Sequence, residues 1–239
     1  MLHADDTVVL STNRELFIHK CNVLVDTITQ KKMSLNYKKS GFLIINGGPE
    51  DVKCNLKLKS GWLIYNAVQK YLGGIFTDTG SVSIDVDLFL KQKTKEVNVK
   101  LASFLLKNEY APISVKLKVA NACINSAILY GCESWGSCPL NSIEILQRKA
   151  LKTVLDISKR TPNEIVYVES GCHTLKPSIY KRQFKFFQKI LDDCREYPNS
   201  PVSAIYKLAL DSNTQFIRHY KKLENMFNTP KECYDHYVQ

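Results

Sequence analysis

The sequence predicts an α+β protein, with strands and one helix up to about residue 80 and helices from there on. Short apolar runs bounded by turn residues, such as Phe42-Leu43-Ile44-Ile45 before Gly47-Gly48-Pro49, lie ahead of Gly80. Past Gly80, apolar residues recur at three- to four-residue spacing. Two capping-box patterns, Thr12-Asn13-Arg14-Glu15 and Thr161-Pro162-Asn163-Glu164, mark helix starts.

In chain order, Met1-Leu2-His3 and Thr7-Val8-Val9-Leu10 read as two strands joined by a tight turn at Asp5-Asp6, because acidic residues favour turns over strands. Thr12 is the expected cap of a helix whose apolar face carries Leu16, Phe17, Cys21, Leu24, Val25 and Ile28 and which runs to about Lys32. The Phe42–Ile45 run follows as a strand. Val52, Cys54, Leu56 and Leu58 alternate with polar residues, the pattern of a half-buried strand. Tyr71-Leu72-Gly73-Gly74-Ile75-Phe76 is one further strand with a glycine pair. Helices are expected from about Ile84 to Leu106, Val115 to Trp135, Ser142 to Ile157, after Pro162, Ser178 to Cys194, Val202 to Leu210 and Thr214 to Phe227. The chain therefore divides near residue 80 into a small mixed α/β portion and a larger all-helical one.

The 239 residues carry 33 Lys+Arg against 23 Asp+Glu, a net charge of +10, and 44% of them are hydrophobic. That composition excludes general disorder. No apolar run approaches the ~18 residues of a membrane-spanning helix, so no membrane partner is expected. The acidic opening Met1-Leu2-His3-Ala4-Asp5-Asp6 is unlike a signal peptide, and an intracellular setting, nucleus or cytoplasm, is expected. The eight cysteines contain no C-x-x-C pair, which fits reduced thiols better than disulfides or zinc.

The positive charge is concentrated. From Leu146 to Lys189 there are ten basic and three acidic residues. Lys181, Lys185 and Lys189 recur at helical spacing, with Tyr180, Phe184, Phe186 and Phe187 between them. Such a helix either presents ammonium groups to phosphates or is a solvated face.

Adjacent aspartates on a hairpin tip are either an exposed turn or hard oxygen ligands for a divalent metal. Leu2-His3-Ala4-Asp5-Asp6-Thr7-Val8-Val9-Leu10 resembles the Y/F-A-D-D hairpin of reverse transcriptases of non-LTR (LINE-type) retrotransposons. Leu35-Asn36-Tyr37-Lys38-Lys39-Ser40 resembles the N-x-x-K-T/S segment after that hairpin. Tyr71-Leu72-Gly73 resembles the Y-L-G strand where palm meets thumb, and Ile128-Leu129-Tyr130-Gly131-Cys132-Glu133-Ser134-Trp135 resembles the L-Y-G-x-E-x-W signature beyond. The four matches come in the family's order and cover roughly residues 1 to 190.

The resemblance implies a partial reverse-transcriptase palm over 1–80, a helical thumb over 81–195 and a helical extension over 196–239. It implies RNA-directed DNA polymerase activity with Mg²⁺, an RNA template, a DNA primer or RNA–DNA duplex, and dNTPs. Asp5 and Asp6 would be the catalytic and metal-binding pair. Lys39 would stand beside the incoming nucleotide, Leu72, Gly73 and Gly74 would grip the primer, and Arg148, Lys149, Lys152, Lys181, Arg182, Lys185 and Lys189 would hold nucleic acid. His3 departs from the family's aromatic. A second palm aspartate and the fingers would lie upstream of Met1, and neither Asp26 in a helix nor Asp51 in a turn replaces that aspartate. A truncated polymerase, inactive as this chain, is therefore expected. The alternative is a non-enzymatic nucleic-acid-binding remnant that uses the basic helical half.

Overall fold

Local patterning and side-chain capping build the elements. The structure is a computed structural model that describes residues 2–3, 6–48, 53–137 and 140–238. It is α+β, mostly helical with small sheets, and divides into two compact units, Met1–Asp85 and Val86–Gln239.

In the first unit, β1 (Leu2–His3) and β2 (Asp6–Thr7) pair antiparallel, with His3 opposite Asp6. Helix α1 spans Arg14–Gln30. Its cap is Asn13 and not Thr12: the Asn13 side-chain oxygen accepts the Leu16 N–H at 2.8 Å. Glu15 therefore sits one position too early to close a capping box, although its charge in the first turn suits the helix dipole. Cys21 and Val25, one turn apart, bury against Phe42, Leu56, Leu58 and Leu63.

Those last four residues belong to a three-stranded sheet of order β3-β5-β4. β3 (Gly41–Phe42) is parallel to β5 (Gly61–Tyr65), and β4 (Leu56–Leu58) is antiparallel to it. The expected 42–45 strand shrinks to its first residue and Gly41. Cys54 lies before β4, exposed, and Val52 falls outside the described residues. β5 was not expected; its Leu63 is buried while Trp62 and Ile64 are exposed, the alternation of a strand covered on one face.

Tyr71–Phe76 is not one strand. β6 (Val68–Tyr71) and β7 (Gly74–Thr77) form an antiparallel hairpin that turns at Leu72 and Gly73. Both turn residues have positive φ, 47° and 78°, as the tightest hairpin turns require. Glycine takes that conformation freely; leucine there is strained.

Helix α2 spans Val82–Lys107 and runs on into the second unit. α3 is Ile113–Ile128, ending seven residues before the expected Trp135 because Gly131 turns the chain at φ 70° into a short 3-10 turn, Cys132–Ser134. α4 follows over Asn141–Leu155 and α5 over Asn163–Ser170. Pro162, with no side-chain oxygen to offer, is the cap of α5, so the second expected capping box does not form either. α6 is Lys176–Glu196, α7 Pro201–Asp211, α8 Gln215–Met226 and α9 Pro230–Val238, the last unforeseen. Ser200 and Thr214 cap α7 and α8 through their hydroxyls.

α6 is the hub of this unit and packs against the 3-10 turn, α7, α8 and α9. Its Phe184 and Phe187 join Ile217, Tyr220, Leu223, Phe227 and Cys233 in one core. Among the described residues no helix is long and apolar enough to cross a membrane.

Candidate nucleic-acid interface

The acidic hairpin is only half visible. Asp6 is exposed on β2, and Asp5 lies outside the described residues. Asp26 is on α1, paired with Lys59 at 2.5 Å, and Asp51 is not described. Among the described residues, no group of three or more His, Cys, Asp or Glu side chains comes together as a metal site would need.

Lys39 lies exposed in the turn that enters β3. Asn36 shapes this turn: its carbonyl accepts the Lys39 and Ser40 N–H groups at 3.1 and 2.9 Å. Leu72 and Gly73 form the tip of the β6–β7 hairpin, and Gly74 opens its second strand.

Sequence reasoning passed over a polar cluster beside that hairpin. The Asp78 carboxylate accepts the Tyr65 hydroxyl at 2.7 Å and pairs with Lys53 at 2.6 Å. The Lys53 bond, then the Tyr65 bond, hold the Asp78 carboxyl below the usual carboxylate range. Asp85, on the first turn of α2, accepts both the N–H and the hydroxyl of Thr77. These bonds fix the exit of β7.

The seven basic residues expected to hold nucleic acid separate by partner. Arg148 pairs with Glu144 one turn back on α4, at 3.5 Å. Lys152 donates to the carbonyls of Thr161 at 2.6 Å and Lys159 at 3.0 Å, so it holds the segment between α4 and α5. Arg182 donates to the Leu129 carbonyl at 3.3 Å and lies 3.6 Å from Glu133. These three side chains work inside the fold. Lys149, Lys181, Lys185 and Lys189 are exposed. On α6 the exposed lysines alternate with buried Ile179, Gln183, Phe184 and Phe187, so one face carries ammonium groups and the other builds the core.

Arg148, Lys149, Lys152 and Lys159 also line a cleft of about 780 Å³ between α2 and α4, with Asp156 the one acidic residue in its lining. Helical periodicity placed Arg148, Lys149 and Lys152 on α4; the cleft depends on which part of α2 lies across from them.

The segment Ile128–Trp135 has a structural explanation in this chain. Gly131 makes the turn, Cys132 is fully buried, and Trp135 meets Phe89 edge to face with ring centroids 5.9 Å apart. Glu133 pairs with Arg182. Burial, and next the Glu133 charge, push the Cys132 thiol up to about 12, so it is inert as a nucleophile.

Gln183 was not expected to matter. Its amide nitrogen donates to the carbonyls of Cys132 and Gly136, both at 3.0 Å, and its amide oxygen is 2.9 Å from His219 Nε2. A glutamine inside an amphipathic basic helix offers no sequence signal beyond its place on the apolar face.

Comparisons with protein families, with curated proteins and with solved structures give no match.

Proposed function

We propose that this chain is a palm-and-thumb portion of a LINE-type reverse transcriptase whose helical unit binds nucleic acid through its phosphates. The observation that carries the binding part is charge segregation. Lys181, Lys185 and Lys189 face solvent on one side of α6 and Lys149 and Lys159 edge the cleft beside α4, whereas Arg148, Lys152 and Arg182 bond to other groups of the fold. Exposed ammonium groups in that density release counterions when they meet a polyanion. The polymerase part rests on the order of the four sequence segments and on the Asp5-Asp6 pair, with magnesium as the metal such a pair would serve in the intact enzyme.

The alternative is nucleic-acid binding without catalysis. It needs only the exposed lysines of α4 and α6 and no metal site.

Two experiments test these readings. Duplex binding followed by fluorescence anisotropy should weaken steeply between 50 and 200 mM salt (about 10-fold or more, for a few phosphate contacts). Binding that ignores salt refutes the electrostatic reading. Primer extension on an RNA template with Mg²⁺ tests the polymerase, both for this chain and for the chain joined to fingers and a first palm strand. Asp5→Ala should abolish extension; extension that survives it refutes the assigned role.

A further inference from the structure

The cleft beside α4 is more than a patch of lysines. Its lining combines aliphatic side chains, Leu101 and Ala102 of α2 with Ile145 of α4 and Ile157 beyond it, with the four basic residues and the amides of Asn98 and Asn163. Ile145 remains 44% exposed. Phosphate contacts to a duplex would use the lysines and leave the aliphatic wall in water, because the bases of a duplex are stacked inside it. A volume of about 780 Å³ suits a compact organic group, and a double helix cannot enter it. A single strand can offer both surfaces together: an unstacked base, flat and apolar on its faces, and a phosphate one sugar away.

We propose that this cleft takes one unstacked nucleotide of a single-stranded RNA or DNA, its base against Ala102 and Ile145 and its phosphate on Lys149 and Lys159. This rests on the nucleic-acid reading above and adds strand state to it. Asn98 and Asn163 supply donors and acceptors for the base edge. Lys152 has given two of its three protons to the carbonyls of Thr161 and Lys159, and the third is available to the phosphate.

The test uses the full chain and labelled oligonucleotides: single-stranded RNA, single-stranded DNA, and a blunt duplex of the same sequence, by anisotropy at several salt concentrations. Ala102→Trp fills the cleft from an exposed helix position. It should weaken single-strand binding about tenfold, the worth of one base contact, and change duplex binding less than about twofold. Ile145→Asp should do the same by a different route, and unchanged melting temperatures exclude misfolding. Lys149→Glu should lower the single-strand salt slope by about one. The RNA and DNA arms tell which strand fills the cleft. Equal loss on single strand and duplex, or no loss with either cleft variant, overturns the proposal. Duplex binding by the parent chain with no single-strand binding overturns it and leaves the nucleic-acid reading standing; no binding of either overturns both.

Discussion

Replacing Gln183 with leucine is the sharpest probe of how the second unit is held together. The side chain is 3% exposed and makes three bonds, to the carbonyls of Cys132 and Gly136 and to His219. Leucine of similar volume fills the space and makes none of them. The Cys132 carbonyl keeps a second partner, the Trp135 N–H at 3.3 Å. The Gly136 carbonyl and the His219 imidazole lose the bonds that Gln183 supplied. A buried polar group stripped of its partner costs about 1–3 kcal/mol, so two cost about 2–6. The extra apolar burial of leucine returns about 1–2 kcal/mol, so the middles of the two ranges leave a net loss of about 2.5 kcal/mol. In a unit of this size each kcal/mol moves Tm by about 2–4 °C, so Gln183→Leu should melt about 5–10 °C below the parent chain. Circular dichroism melting measures the shift, and hydrogen exchange should show lost protection in the Cys132–Gly136 segment and in α8. A Tm within about 1 °C of the parent, with exchange unchanged there, refutes the reasoning. Lys185→Leu on the exposed face of the same helix should stay within about 0.5 kcal/mol and serves as the control.

Further perturbations separate structural from binding roles. Burial, then the Lys222 charge, hold the His219 imidazole below its ordinary 6.5. The unfolded chain therefore binds the proton first: the stability is full above pH 6.5 and falls as pH drops below it toward the folded value. Urea midpoints at pH 7.5 and 5.5 should show this drop, and His219→Gln should shrink it. Arg182→Ala, which breaks a part-exposed pair and the bond to Leu129, should destabilise by about 1 kcal/mol in chemical denaturation and leave the salt slope of duplex binding unchanged. Converting Lys181, Lys185 and Lys189 together to glutamate should instead leave melting nearly unchanged and lower duplex affinity at least about tenfold. Leu72→Asn at the hairpin tip should raise stability by about 0.5–1 kcal/mol, because asparagine accepts positive φ more readily than leucine.

Much of the fold was legible wherever the physics is local. Helical spacing of apolar residues located α1 and α4, and the break beyond Gly80 separated strands from helices. Legibility failed where two local choices compete or where a partner is remote. Thr12 and Asn13 are both good caps, and only the path of the chain selects Asn13. Leu72-Gly73 reads as strand by composition, yet the pairing of Tyr71 with Gly74 makes it a turn. β3 has two residues and so no period to read, and its parallel pairing with β5 joins segments about twenty residues apart, which no local pattern announces. α9 escaped notice because its place comes from packing on α6.

The candidate site divides in the same way. The sequence by itself determined that positive charge gathers between Leu146 and Lys189, that lysines recur along one helix face, and which segments resemble a polymerase, because charge and spacing are properties of the chain. Tertiary structure alone decided which of those cations are free. Lys152 and Arg182 are as basic as Lys149 and Lys185, but the carbonyls of Thr161, in the loop after α4, and Leu129, at the end of α3, accept their hydrogen bonds. It also decided that α2 supplies an aliphatic wall opposite α4. A cation's availability depends on what else folds against it, and that information is spread over contacts far apart in sequence.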